Sequence, residues 1–260
     1  MDPKPSGYSM SEKFLIVGAP RTGSTLLVKT LNSLDAVRCH GELLGPGSVR
    51  GLEDGFDLVE ATKEAREARA SRLIDERKQG PVQFISNALS SDCAATGFKA
   101  LYQTILLPQW EEVCSMLVAM PDLKIIHLQR HNSLRRFISE QVLQGGGAIH
   151  SEAGGRSEAQ IKVPINVDAF IARDAELQAQ RDEFFSQLSG QTILDISYEA
   201  LAEDTAAAVQ TVCEFLGLSI EKSAIAPALK KVGAVDLRES VSNYQALLQH
   251  EATAKMVLSD

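Results

Sequence analysis

The sequence predicts a single α/β domain: a parallel β-sheet of about five strands with helices on both faces. Three observations point there. Short apolar runs alternate along the chain with stretches whose apolar residues recur at helical spacing, the pattern of strand–helix–strand units. The 260 residues are enough for one domain of this class, and 44% of them are hydrophobic, ample material for a core. No internal repeat divides the chain, and no run of like charge is long enough to be a tail. The domain is expected over 13–260, after a flexible N-terminal stretch at 1–12.

The elements follow in order. Phe14–Gly18 is a short apolar run flanked by polar residues, the mark of a buried parallel strand. Leu27, Leu31 and Leu34 recur at i, i+4 and i+7 and predict a helix opening near Ser24. Ala36–Cys39 gives a second strand. Residues 57–79, rich in Ala, Glu, Arg and Lys, predict a largely solvent-facing helix. Ala95–Leu101 (ATGFKAL) is the third strand, and Pro108–Met120 a helix with proline in its first turn. Leu123–Leu128 (LKIIHL) is the fourth strand, followed by a helical stripe of Leu134, Phe137, Ile138 and Val142. Residues 145–160, GGGAIHSEAGGRSEAQ, read as a mobile loop. Phe170, Leu177, Phe184 and Leu188 mark a long helix. Thr192–Ile196 (TILDI) is the fifth strand, and Val209, Val212 and Leu216 share one face of the next helix.

Charge and cysteine usage narrow the function. The net charge of −8 argues against broad attraction to nucleic acid or anionic membrane, so any bound anion must be held by local groups. The four cysteines form no CxxC pair, which suits a reducing, cytoplasmic compartment. The first residues lack the apolar stretch of a signal peptide, and Phe14–Val17 is far too short to span a bilayer. Cys39, His40 and Glu42 are close in sequence but do not have a zinc-site spacing, and no metal is expected.

Residues 14–25, FLIVGAPRTGST, carry the chemistry. Gly18 and Gly23 bracket four residues and precede Ser24–Thr25, as in a phosphate-cradling P-loop, but Ser24 stands where a nucleotide-hydrolysing loop has lysine. Backbone N–H groups of such a turn, and the start of the helix after it, converge on an anion. Thr22, Ser24 and Thr25 add hydroxyls and Arg21 a fixed cation. The same residues would also serve in a plain strand-to-helix turn with Ser24 as N-cap.

The run Pro20-Arg21-Thr22-Gly23-Ser24-Thr25 resembles the 5′-phosphosulfate loop of sulfotransferases that use 3′-phosphoadenosine 5′-phosphosulfate (PAPS). The resemblance implies a P-loop NTPase-like fold, a 5′-phosphate bound by Arg21, Thr22, Gly23, Ser24 and Thr25, and an Arg21 guanidinium beside the sulfate. It implies a 3′-phosphate site at Arg130, which ends LKIIHLQR, and Ser139 on the next helix, with Ser133 or Arg136 as sharers of that task. The spacing from Arg130 to Ser139 is nine residues where the family usually has eight. ISYEALAED (196–204) followed by VCEFLGL resembles the family segment whose tyrosine lies near the adenine, which makes Tyr198 a nucleotide contact or a packing residue under the helix. CHGELLG (39–45) resembles the segment that supplies the catalytic glutamate in bacterial sulfotransferases acting on carbohydrates, lipopolysaccharide and nodulation factors. Glu42 is then the base, with His40 as rival, or else a capping carboxylate or a partner of Arg38. GFKA (97–100) and LRESVSNY (237–244) extend the resemblance, and Lys230, Lys231 and Gly233 are the candidates for the family's C-terminal basic loop.

The implied activity is sulfuryl transfer from PAPS to a hydroxyl or amine of a carbohydrate or small-molecule acceptor. The alternatives are a P-loop kinase or hydrolase, which needs a Mg²⁺-holding aspartate at a strand end, and a non-catalytic nucleotide-binding relative. The strand ends here read HLQR and DISYE. Acceptor specificity is expected from 45–90 and 143–166.

Overall fold

The computed structural model describes residues 11–52, 62–145, 150–151, 162–188, 190–227, 230–231 and 236–259. The chain runs β1 (Glu12–Gly18), α1 (Ser24–Leu31), β2 (Val37–Glu42), α2 (Lys63–Gln79), α3 (Pro81–Ala88), β3 (Ala95–Leu101) and α4 (Tyr102–Ile105). A 3₁₀ turn at Pro108–Trp110 leads into α5 (Glu111–Val118), then β4 (Lys124–Gln129), α6 (Ser133–Gln144) and a short β5 (His150–Ser151). α7 (Val167–Gln187), β6 (Thr192–Ser197), α8 (Tyr198–Glu203), α9 (Thr205–Phe215), β7 (Lys230–Lys231), α10 (Leu237–Ser240), α11 (Tyr244–Gln249) and α12 (Glu251–Leu258) complete it.

The main sheet has five strands in the order β2-β3-β1-β4-β6, all parallel. This is the predicted fold class. Along β1 the period of two splits an unbroken apolar run between two cores. Phe14 and Ile16 pack with Leu27, Leu31, Val209 and Val212 of α1 and α9. Leu15 and Val17 face Phe84, Ile85, Val113 and Phe184 of α3, α5 and α7. A third cluster joins Leu134 and Phe137 of α6 to Leu237, Leu247 and Val257 near the C-terminus.

Several expectations are corrected. The first strand opens at Glu12, which pairs with Ala95, so ordered structure begins inside the stretch expected to be flexible; residues 1–10 lie outside the described residues. The helix expected over 108–120 begins as a 3₁₀ turn. α2 is largely solvent-facing, as expected, with Leu73 and Arg77 buried. Within the expected loop 145–160, His150–Ser151 pairs antiparallel with Lys230–Lys231; 146–149 and 152–160 lie outside the described residues, as does Gly233.

The register decides where a ligand can sit. Gly18 pairs with Leu101 on one side and Leu128 on the other, so β1, β3 and β4 end level. From β1 the chain turns toward β2, and from β4 toward β6. The switch point therefore lies between β1 and β4, where such sheets open a crevice at their carboxyl ends.

Candidate active site

The loop after β1 lies at that crevice. A Cβ on Gly18 would run into the carbonyl oxygen of Leu128 on the neighbouring strand, so only glycine permits this approach. Thr22 is buried and its hydroxyl donates to the Ala19 carbonyl at 3.0 Å, closing the turn from within. Gly23 has φ 83° and forms the N-cap of α1, which receives no side-chain cap there. The first N–H groups of α1 have no acceptor within the helix and face the crevice as donors. Arg21 is the one non-glycine residue with positive φ among those described, at 69°. That conformation costs a residue with a Cβ about 1–2 kcal/mol, and such outliers gather at ligand sites.

Four of the sequence-predicted residues meet here. Arg21 Nε donates to Ser139 Oγ at 3.2 Å, linking the loop to α6. Arg130, just beyond β4, places Nη1 3.4 Å from the Arg21 carbonyl oxygen. Its guanidinium carbon stacks 4.2 Å from the centre of the Tyr198 ring. Tyr198 in turn lies against the loop, since a Cβ on Gly23 would come within 2.7 Å of Tyr198 Cδ2. Tyr198 is thus wedged between the loop glycine and Arg130.

The electrostatics call for an anion. Burial pushes the Arg21 and Arg130 guanidinium groups below their ordinary pKa range, and Arg21 adds to the effect at Arg130. Among the described residues neither forms an ion pair with a carboxylate, and Arg130 Nε is buried without a hydrogen-bond partner. Glu140 acts on Arg21 and Glu199 on Arg130 through space, yet burial outweighs them, and the two cations stand partly desolvated around an uncapped helix start. Such a set of donors and cations has the chemistry to hold a phosphate or sulfate group.

Glu42 and His40 part company. The β2–β3 ladder shifts register between His40 and Glu42, so Gly41 is an extra residue and Glu42 pairs with Lys99, next to the Phe98 that pairs with His40. A bulge of this kind re-aims the side chains beyond it. His40 is buried, and its ring nitrogens lie 2.9 Å from the Gly51 carbonyl oxygen and 2.8 Å from that of Ala88. Both nitrogens are therefore engaged with the backbone. Glu42 keeps 26% of its side-chain surface exposed, and its Oε1 takes the Lys99 ammonium at 2.7 Å. Arg38 is not its partner. β2 lies two strands from β1, about 10 Å across the sheet edge at ordinary strand spacing.

Sequence reasoning named no role for Lys99, which is 8% exposed in a buried, mostly apolar strand. The signal was there, a lone lysine inside ATGFKAL. Nor did it find Glu140, which takes Arg136 Nη1 at 2.9 Å and Arg173 Nη2 at 3.0 Å beside Ser139, while Arg173 also donates to Gln103 at 2.6 Å. That network ties α4, α6 and α7 together next to Arg21. A second chain crosses from α4 to β4 and β6: the Tyr102 hydroxyl donates to His127 Nε2, and His127 Nδ1 donates to Asp195 at 2.7 Å.

A family model described as "Sulfotransferase family" matches residues 13–222. No curated protein sequence matches the chain. Among solved structures, the sulfotransferase domain from the curacin biosynthetic pathway is 20% identical, with a TM-score of 0.50, covering 93% of this chain and 87% of that one. The sulfotransferase domain of the Synechococcus PCC 7002 olefin synthase is 18% identical at TM-score 0.49, covering 99% and 91%. A sulfotransferase from Alicyclobacillus acidocaldarius is 17% identical at TM-score 0.47, covering 96% and 95%.

Proposed function

The chain belongs to the sulfotransferase family, and from that premise we propose that it transfers a sulfuryl group from PAPS to a hydroxyl or amine of a carbohydrate or other small molecule. The observation that carries this reading is the pair Arg21 and Arg130, partly buried around an uncapped helix start and, among the described residues, in no ion pair with a carboxylate. PAPS supplies an activated sulfuryl group whose leaving group is a nucleotide phosphate.

Each residue has a task in this reading. The start of α1 and the loop amides hold the 5′-phosphate, as does Ser24; the Thr22 hydroxyl is used within the turn and shapes the loop. Thr25, at the second position of α1, adds its hydroxyl. Arg21 stabilises charge that builds on the departing phosphate oxygen, acting as a fixed cation. Ser139 sets the angle of that guanidinium through Nε. Arg130 receives the 3′-phosphate, where its buried Nε gains a partner. Tyr198 holds Arg130 by stacking and offers its remaining edge to the base.

Glu42 is the general base. Lys99 occupies Oε1 and fixes the carboxylate, so Oε2 is the oxygen that accepts the proton from the acceptor hydroxyl. The new bond forms between the acceptor oxygen and sulfur while the bond from sulfur to the phosphate oxygen breaks, a loose in-line exchange close to phosphoryl transfer. His40 is unsuited to the role because both ring nitrogens already meet carbonyl oxygens. The kinase reading is disfavoured by the strand ends: β4 closes on Gln129 and β6 on Ser197, without a carboxylate for Mg²⁺.

The test is Glu42→Gln. It should bind 3′-phosphoadenosine 5′-phosphate (PAP) with unchanged affinity in calorimetry, yet lose about 100-fold or more of sulfuryl transfer over a panel of sugars and phenols, the usual scale for a general base. Transfer at the wild-type rate would remove Glu42 from the mechanism.

A further inference from the structure

α2 is a charged helix, and Arg77 in its last turn is turned inward. Arg77 is 1% exposed, among the largest fully buried side chains of the protein, and lies beside Leu73, Leu43, Leu44 and Trp110. Its Nη1 donates to the carbonyl oxygen of Leu43 and lies 3.3 Å from that of Ser48. Its guanidinium carbon sits 4.8 Å from the centre of the Trp110 ring. Among the described residues it has no carboxylate partner, and its Nε is buried with none at all.

This is a poor way to gain stability. An apolar side chain of that length would fill the space without desolvating a charge. What the guanidinium achieves instead is specific in place. Leu43 is the residue after Glu42, where the chain leaves β2, and a side chain at a strand end is only as fixed as the backbone that follows it. The segment 43–50 loops back so that the Arg50 N–H donates to the Glu42 carbonyl at 3.2 Å. Arg77 bonds both sides of that loop, and the Trp110 ring fixes the plane of its fork.

We infer that Arg77 is a positioning residue for sulfuryl transfer, clamping the 43–48 loop so that Glu42 stays aimed at the acceptor hydroxyl. The inference rests on the reading of Glu42 as the base. A displacement of about 1 Å in a reacting group costs up to about 100-fold in rate. Arg77→Met keeps the length and removes every donor. Arg77→Lys keeps one charged donor in case the methionine variant does not fold.

The experiment measures PAP affinity by calorimetry and PAP release from PAPS, with sugars and phenols as acceptors and water as the fallback acceptor. Both Arg77 variants are made alone and in a Glu42→Gln background, with Arg72→Met on the exposed face of α2 as control. Arg77→Met should lower kcat by about 10–100-fold with PAP affinity unchanged, and Arg77→Lys should recover part of the loss. In the Glu42→Gln background neither change should cost more than about twofold, because a clamp has nothing left to aim. Arg72→Met should match the wild type. If Arg77→Met, or Arg77→Lys where methionine fails to fold, turns over at the wild-type rate, the inference is wrong. It is equally wrong if the loss is as large with Glu42→Gln as without it, since that marks a general weakening of the fold. If Glu42→Gln alone transfers normally, the base assignment itself fails, a result separable from either of these.

Discussion

Replacing Gly23 by alanine places a methyl group at the tightest junction of the site. The backbone there has φ 83°, which costs a residue with a Cβ about 1–2 kcal/mol. The new carbon would stand 2.7 Å from Tyr198 Cδ2 and 3.2 Å from Cε2, where carbon atoms ordinarily rest at about 3.5–4.0 Å. Displacing the ring adds about 1–3 kcal/mol of overpacking. The sum, about 2–5 kcal/mol, corresponds to a fall in Tm of about 5–15 °C for a chain of this size. The ring carries Arg130 on its face, so the damage should reach the proposed nucleotide site. One charge-assisted hydrogen bond is worth about 1.5–3 kcal/mol, and PAP should bind about tenfold or more weakly. Scanning calorimetry and PAP titration read the two effects. Adding Tyr198→Ala should return the overpacking part and leave the backbone part. A Gly23→Ala protein that keeps its Tm to within about 2 °C, against the several degrees expected per kcal/mol, and its PAP affinity refutes the idea that loop, ring and Arg130 form one stack.

Two further outcomes follow from the charges. Arg21→Ala should abolish transfer while PAP still binds, and Arg130→Met should weaken PAP by about 10–100-fold through loss of the proposed 3′-phosphate contact; equal behaviour of the two variants would contradict their separate roles. For His127, burial pushes the imidazole pKa down, partly offset by Asp195. The unfolded chain then takes up the proton first, so this residue's contribution is present above the unfolded value of about 6.5 and is lost as pH falls below it. Urea midpoints should drop more between pH 7.5 and 5.5 in the wild type than in His127→Gln, and equal drops would count against it.

Much of this was legible in the sequence for a simple reason. A strand buried on both faces must be largely apolar, and β1 accordingly contains the expected run Phe14–Gly18. The loop was legible because glycine at 18 and 23 answers steric demands that no other residue meets. What escaped depended on long-range geometry. The bulge at Gly41 exists only in the pairing of β2 with β3, so the divergence of His40 from Glu42 cannot be read along the chain. Arg77 sits in a helix whose composition says solvent, and its burial is decided by Leu43, Ser48 and Trp110 from other segments. Lys99 hid for the converse reason, a charge in a strand that composition says is core. α3, Pro81–Ala88, was missed because eight residues carry too short a pattern to separate helix from loop.

The most direct test of the central claim is a calorimetric titration of the purified protein with PAP and, separately, with ATP and Mg²⁺. An anion cradle built from Arg21, Arg130 and the start of α1, without a P-loop lysine, predicts saturable binding of PAP that Arg130→Met weakens, and no comparable uptake of ATP–Mg²⁺. Binding of ATP–Mg²⁺ with indifference to PAP would contradict it.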